Sequence, residues 1–244
     1  MILSDQPTCF PDDILVRVSS KSDGTVLDRA VGVHNPAIVT NRTRFCDAIG
    51  ISYGNVVYQR IIYGESQTYD RIVDVDDGDT CRYVDEVHAD ALMTETPGVG
   101  LMLPVADCVA TVLYDPRTKR LALAHLGRHS TVANLMTKVI SHFISKKSNP
   151  ADIIVWMAPS IKRDNYTLEY FDQADDPDWQ EHVDITTTSC RIDMQGYNRM
   201  QAIAAGVLPE HINESPVDTA VHDEYFSHSH GDVTGRFAVV AMIR

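Results

Sequence analysis

Apolar residues recur at helical spacing in three stretches of the chain and run almost unbroken in several others. Val132, Leu135, Met136, Val139, Ile140, Phe143 and Ile144 lie on one face of a predicted helix, with Ser130 placed to cap its first turn. Ile38, Val39, Phe45, Cys46 and Ile49 mark a second helix over residues 36–50, opened by Pro36 and stopped by Gly50. A third runs from the N-cap residue Asp193 through Tyr197, Met200, Ile203 and Ala204 to Gly206. The apolar runs 99–103, 105–114 and 119–126, with 153–157 and 236–243, read as buried strands. Residues 71–75 and 80–84 flank Asp77-Gly78, a dipeptide suited to a tight turn, and are expected to form a hairpin. Residues 145–150 and the acidic stretch 171–179 read as surface loops, and neither a repeat nor a long linker interrupts the chain. The expectation is an α/β (α+β) fold, a single domain with a mixed sheet flanked by helices.

Composition narrows the function. The chain has 244 residues, 44% of them hydrophobic, enough for a sizeable core. Its net charge of −13 argues against a nucleic-acid or anionic membrane partner, so an anionic ligand must be held by a local positive site. Five scattered cysteines, an odd number, and a start without the basic and apolar regions of a signal peptide give a cytoplasmic expectation. The acids Asp74, Asp76, Asp77 and Asp79 do not make a calcium loop. With Gly78 as its sixth position, the first and twelfth would be Val73 and Val84, which carry no oxygen ligand.

The candidate chemistry lies in Ala106-Asp107-Cys108 and Ala124-His125-Leu126-Gly127. If Asp115-Pro116-Arg117-Thr118 forms a symmetric four-residue loop between two strands, Cys108 and His125 face each other with Cβ atoms roughly 4.5 to 5.5 Å apart. That spacing suits two ligands of one zinc or a thiolate–imidazolium pair, and equally a buried cysteine beside a core histidine. Gly127, Arg128, His129 and Ser130 then lie at the expected helix N-terminus, where free backbone N–H groups and the arginine favour a phosphate. No phosphate-binding Walker loop, dinucleotide glycine motif, serine-hydrolase elbow or zincin motif is present.

Taken together, Asn41-Arg42, Asp90-Ala91-Leu92-Met93-Thr94 with Pro97-Gly98, the Cys108 and His125 motifs, Asp193-Met194, Ala205-Gly206-Val207, Phe226-Ser227 and Thr234-Gly235-Arg236 resemble the laccase-domain family. This family is also called YfiH or DUF152, and the likeness runs from about residue 30 to the end. The resemblance implies a YfiH-like α/β domain and a pocket metal, usually zinc, held by His, Cys and His. It also implies purine nucleoside phosphorylase and adenosine deaminase activities. Copper is not expected, because laccase chemistry needs many more histidine ligands than the sequence groups together. Four family elements are altered here. Tyr63 stands at the first metal histidine, and the others are His125-Leu126-Gly127-Arg128-His129-Ser130, Ala158-Pro159-Ser160 and Ser227-His228-Ser229-His230. Phenol ionises near pH 10, so Tyr63 is a poor third ligand and zinc is expected to be weak or absent.

The leading expectation is therefore a purine nucleoside-processing enzyme, a transferase or hydrolase acting on a small molecule. Cys108, His125 and Arg236 carry its catalysis, and Arg42, Gly127, Arg128, His129 and Ser130 its substrate and phosphate. The alternatives are a metal-free pseudoenzyme or small-molecule binding protein on the same fold, and a Cys–His hydrolase or amidase.

Overall fold

A computed structural model describes residues 1–244. Its first half contains β1 (Ile14–Val18), β2 (Leu27–Asp28), α1 (Pro36–Ala48), β3 (Val56–Arg60), β4 (Ile72–Asp74), β5 (Val87–His88), β6 (Ala91–Thr94), β7 (Gly100–Val105) and β8 (Val109–Asp115). There follow β9 (Arg120–Leu126), α2 (Arg128–Val132), α3 (Leu135–Ser145), β10 (Ile154–Met157), β11 (Thr167–Leu168), β12 (Val183–Ile185), β13 (Cys190–Ile192), α4 (Met194–Ala204), β14 (Ile212–Glu214) and β15 (Gly235–Ile243).

The architecture is mixed α/β, with two six-stranded sheets rather than one. The first has the order β1-β15-β7-β3-β5 with β2 added to β15; the second has the order β14-β10-β8-β9-β6-β4; a small third sheet joins β11, β13 and β12. Successive strand side chains point to opposite faces, which shows in how β8 divides its residues. Ala110, Val112 and Tyr114 enter the core between the two large sheets, together with Leu101, Leu103, Val239 and Ala241. Val109 and Leu113 enter a second core against Leu135, Val139 and Phe143 of α3 and Tyr197 and Ala202 of α4. Phe45 and Cys46 of α1 cover the outer face of the first sheet with Tyr58, Met102 and Val240. Strands buried on both faces explain why the sequence shows continuous apolar runs rather than alternation.

α1 and α4 form as the sequence predicts, α1 capped by Asn35 and α4 by Asp193, whose side chain accepts from the Gly196 N–H at 2.8 Å. The long central helix does not. It breaks into α2 and α3 at Asn134, which takes a left-handed φ of 58°. Gln201 Nε2 of α4 donates to Asn134 Oδ1 at 2.7 Å and to Thr131 O at 3.2 Å, so the break is clamped by a neighbouring helix. The 71–84 hairpin is also absent. Asp76 accepts from the Gly78 N–H, Asp79 accepts from the Asp76 N–H, and this reciprocal cap closes a short 3-10 turn over 77–79. β4 pairs in parallel with β6 instead. Residues 171–179 form a loop whose ends are buried: Trp179 stacks on Tyr197 at 3.7 Å between ring centroids. No helix is long and apolar enough to cross a membrane.

Candidate active site

A cavity of about 510 Å³ opens at one end of the stacked sheets. β3 and β7 run parallel and finish there with Arg60 and Val105, and β15, antiparallel to β7, begins there with Arg236. The size falls within the roughly 300–1,000 Å³ usual for small-ligand sites.

Cys108 and His125 both line this cavity, though not as direct cross-strand partners. Asp115 pairs with Arg120, so the loop is 116–119 and His125 faces Ala110. Asp115 sets this register. Its carboxylate accepts from the Arg117 N–H at 2.8 Å and the Thr118 hydroxyl at 2.7 Å, and Lys119 absorbs the turn at φ 52°. Cys108 therefore precedes β8, after Asp107 at φ 76°. The two side chains converge at Gly127. A Cβ there would lie 3.0 Å from both Cys108 Sγ and His125 Cε1, so sulfur and imidazole carbon are at most twice that distance apart.

Burial makes both groups neutral. His125 is 5% exposed, and burial, aided by the Arg29 and Arg236 charges, pushes its pKa down to about 4. Its Nδ1 is buried with no hydrogen-bond partner. Burial, with the adjacent Asp107 carboxylate, pushes the Cys108 thiol up to about 11, partly offset by Arg236 and Arg29. At neutral pH the pair is a thiol and an uncharged imidazole, which removes the basis for the thiolate–imidazolium pair considered from sequence. Tyr63 meets His125 edge-on at 6.5 Å between centroids; half of the residue is exposed, and partial desolvation of its hydroxyl pushes the phenol still further from ionising.

Positive charge surrounds this neutral pair. The Arg29 guanidinium sits 5.1 Å from the Tyr63 ring centroid. Arg236 is buried and donates to the Gly235 carbonyl, and burial and Arg29 lower its pKa. Arg60 and Arg128 complete four arginines in the wall, against one carboxylate, Asp28, which accepts from the Ala30 N–H at 2.8 Å. The arginines that pair with carboxylates are Arg117, Arg120, Arg163 and Arg199, all elsewhere.

Two expectations need correction. Arg42 is not in the cavity: it is buried under α1, donates to Val26 O at 2.7 Å and lies 3.8 Å from the Tyr58 ring centroid. There it pins the segment that leads into β2 and Arg29. The anion site at a long helix N-terminus also fails, because α2 has only five residues and the Gly127 N–H donates to Ser130 Oγ at 2.9 Å. Ser130 Oγ donates in turn to His125 O at 2.6 Å, so Ser130 braces the turn. Arg128 and His129 remain in the wall, His129 stacked on Tyr69 at 4.6 Å.

Sequence reasoning missed Arg29, Arg60, Tyr69 and Tyr166, and read His228 as one of a pair with His230 suited to a metal or substrate or, more simply, to solvent. Arg29 reaches the cavity because β2 pairs with the start of β15, Leu27 opposite Arg236. His228 is held over it by Asp107, whose carboxylate accepts from the Ser229 N–H at 2.7 Å and the Thr219 hydroxyl at 2.7 Å. His88 lies apart, bonded to Glu86, and His230 is outside the wall. No three His, Cys, Asp or Glu side chains gather closely enough to hold a metal ion.

Stacked mixed sheets with a cationic Cys–His cavity at one end define the class of protein. The chain belongs to the multi-copper polyphenol oxidoreductase laccase family, whose model matches residues 18–244. A purine nucleoside phosphorylase of Mycobacterium tuberculosis is 28% identical over 211 residues, 85% of this chain and 80% of that protein. An adenosine deaminase, RL5, from an unknown prokaryote is 29% identical over 147 residues, 57% of this chain and 55% of that one. The crystal structure of Bacillus licheniformis YfiH shares the fold, with a TM-score of 0.80 at 24% identity, over 95% of this chain and 93% of that one.

Proposed function

We propose that the chain is a purine nucleoside phosphorylase working in this cavity without a resident metal. The observation that carries the reading is the pair Arg29 and Arg236, free of carboxylate partners and beside Cys108 and His125. Two guanidiniums offer forked donors matched to a phosphate dianion, and the aromatic faces of Tyr69 and Tyr166 suit a purine. The names of relatives agree with this substrate class.

In the reaction a phosphate oxygen held by Arg29 and Arg236 attacks the ribose anomeric carbon. The glycosidic C–N bond breaks, and its electron pair goes to the purine ring nitrogen. The Cys108 thiol, protonated at neutral pH, donates its proton there, and the resulting thiolate, stabilised by the same two arginines, regains one from water. His125 stays neutral and offers its Nε2, the ring nitrogen that is not buried, to a ribose hydroxyl.

The donor set does not suit zinc or copper. Cys108 and His125 are two donors, the third position is a phenol held protonated, and two guanidiniums repel a divalent cation. That favours phosphorolysis over deamination, which calls for an activated hydroxide.

Incubation of adenosine or inosine with the protein, with and without inorganic phosphate, tests the reading by chromatography. Free base released only when phosphate is present is the expected result. Release independent of phosphate, or ammonia without free base, overturns it.

A further inference from the structure

Strand register brings an unmet donor and an unmet acceptor to one part of the cavity wall. Tyr58 of β3 pairs with Met102 of β7, and both lie in the core on the outer face of the first sheet with Leu27 and Ala238. Side chains two residues apart on a strand share a face, so Arg60, two beyond Tyr58, and Arg236, two before Ala238, project from that same face. The Tyr58 hydroxyl donates to Val26 O at 3.4 Å, which sets the segment leading into β2 above β3. β2 and β7 are both antiparallel to β15, and β3 is parallel to β7, so β2 and β3 run in one direction. Two residues past the Val26–Tyr58 contact, in that shared direction, stand Asp28 and Arg60, and both line the cavity. Arg60 donates to no acceptor in the protein, and its Nη1 is buried without a partner. Asp28 Oδ1 accepts from the Ala30 N–H, and its second oxygen is free.

We infer that Arg60 and Asp28 read the edge of the base, and that the substrate is a 6-oxopurine nucleoside such as inosine or guanosine. The inference rests on the phosphorolysis reading and specifies its base. A guanidinium only donates, and its fork matches the adjacent O6 and N7 acceptors of a 6-oxopurine. A carboxylate only accepts, and the same base offers an N1–H next to O6. Adenine reverses both groups: its 6-amino group would turn a donor towards Arg60, and its N1 an acceptor towards Asp28. A hydrogen-bonding site rejects such a mismatch because its own polar groups are left unpaired. The bond changes are those already described. The nitrogen that takes the electron pair and the Cys108 proton is the one bonded to the ribose, across the base from the edge that Arg60 and Asp28 hold, and the products are free 6-oxopurine and ribose 1-phosphate.

The test compares free-base release from inosine and from adenosine, each with inorganic phosphate, for the wild type, Arg60→Gln and Asp28→Asn. Expected is a kcat/KM at least 10-fold higher for inosine in the wild type. A glutamine amide can accept from the 6-amino group of adenine and donate to its N7, and an asparagine amide can donate to its N1. The inosine-to-adenosine ratio should therefore fall at least 5-fold in each variant, whereas damage to the fold would lower both substrates alike. A wild-type preference for adenosine, or a ratio unchanged in both variants, overturns this inference and leaves phosphorolysis standing. Absence of base from both substrates overturns phosphorolysis and this inference with it.

Discussion

Gly127→Ala perturbs the spacing of Cys108 and His125 with little effect elsewhere. Gly127 has φ −87°, which alanine adopts freely, so the backbone is not strained and the unfolded chain loses some freedom, a gain of about 0.4 to 1 kcal/mol. Against that, the new methyl would lie 3.0 Å from Cys108 Sγ and 3.0 Å from His125 Cε1, when comfortable contacts are about 3.5 to 4.0 Å. One or both side chains must retreat by about half an ångström, and overpacking of this kind costs about 1 to 3 kcal/mol. The net is a destabilisation of about 1 to 2 kcal/mol, a few degrees in Tm for a chain of this size. Catalysis is more sensitive, since a misplacement of about 1 Å costs about 100-fold, so half of that costs about 10-fold in kcat/KM. The assay is free-base release beside a thermal melt, with Gly54→Ala as control, where the nearest atom to the added Cβ is Ser52 Oγ at 3.5 Å. Wild-type kcat/KM in a folded Gly127→Ala protein would show that the Cys108–His125 spacing is not used.

The buried neutral His125 gives stability a definite pH slope. Its pKa falls from 6.5 to about 4 on folding, so below pH 6.5 the unfolded chain binds a proton that the folded one refuses, and stability drops as pH falls towards 4. Denaturant melts of wild type and His125→Gln should differ by about 2 kcal/mol more at pH 7.5 than at pH 5, from about 1.4 kcal/mol per pKa unit; a constant difference would mean that His125 titrates normally. Arg29→Ala should raise KM for inorganic phosphate about 10- to 100-fold, the worth of one hydrogen bond to a charged group, while the melt barely moves; unchanged KM would place the phosphate elsewhere. Asn134→Ala should destabilise by about 1 to 3 kcal/mol by combining a left-handed φ with loss of the Gln201 bond, whereas Asn134→Gly should lose less, and chemical denaturation of both checks the order.

Much of the fold was legible because burial writes itself locally. The apolar runs that became β7 to β9 and β15, and the caps and stops of α1 and α4, need only neighbouring residues to be read. What was illegible depended on side chains reaching out of their own segment. Asp115 moved the β8–β9 loop by one residue, Gln201 fixed the break at Asn134, and the Asp76–Asp79 cap replaced a hairpin. In the site, Cys108 and His125 were found from their motifs despite a misread register, because both face the end of the same sheet pair. Arg29 carried no local signal, since only the pairing of β2 with a strand some two hundred residues later brings it to the cavity. Arg42 misled for the converse reason: an arginine in a recognisable motif was bound to a backbone carbonyl and a tyrosine ring under α1.

The central claim is that neutral Cys108 and His125, with Arg29 and Arg236, drive phosphorolysis in a cavity that needs no metal. The most direct measurement is the product balance from protein stripped with a chelator and checked metal-free by mass spectrometry, then given a purine nucleoside with inorganic phosphate. The account expects one equivalent of free base for each equivalent of sugar 1-phosphate, at the rate of untreated protein. Loss of activity on stripping that returns with zinc, or ammonia in place of free base, would contradict it.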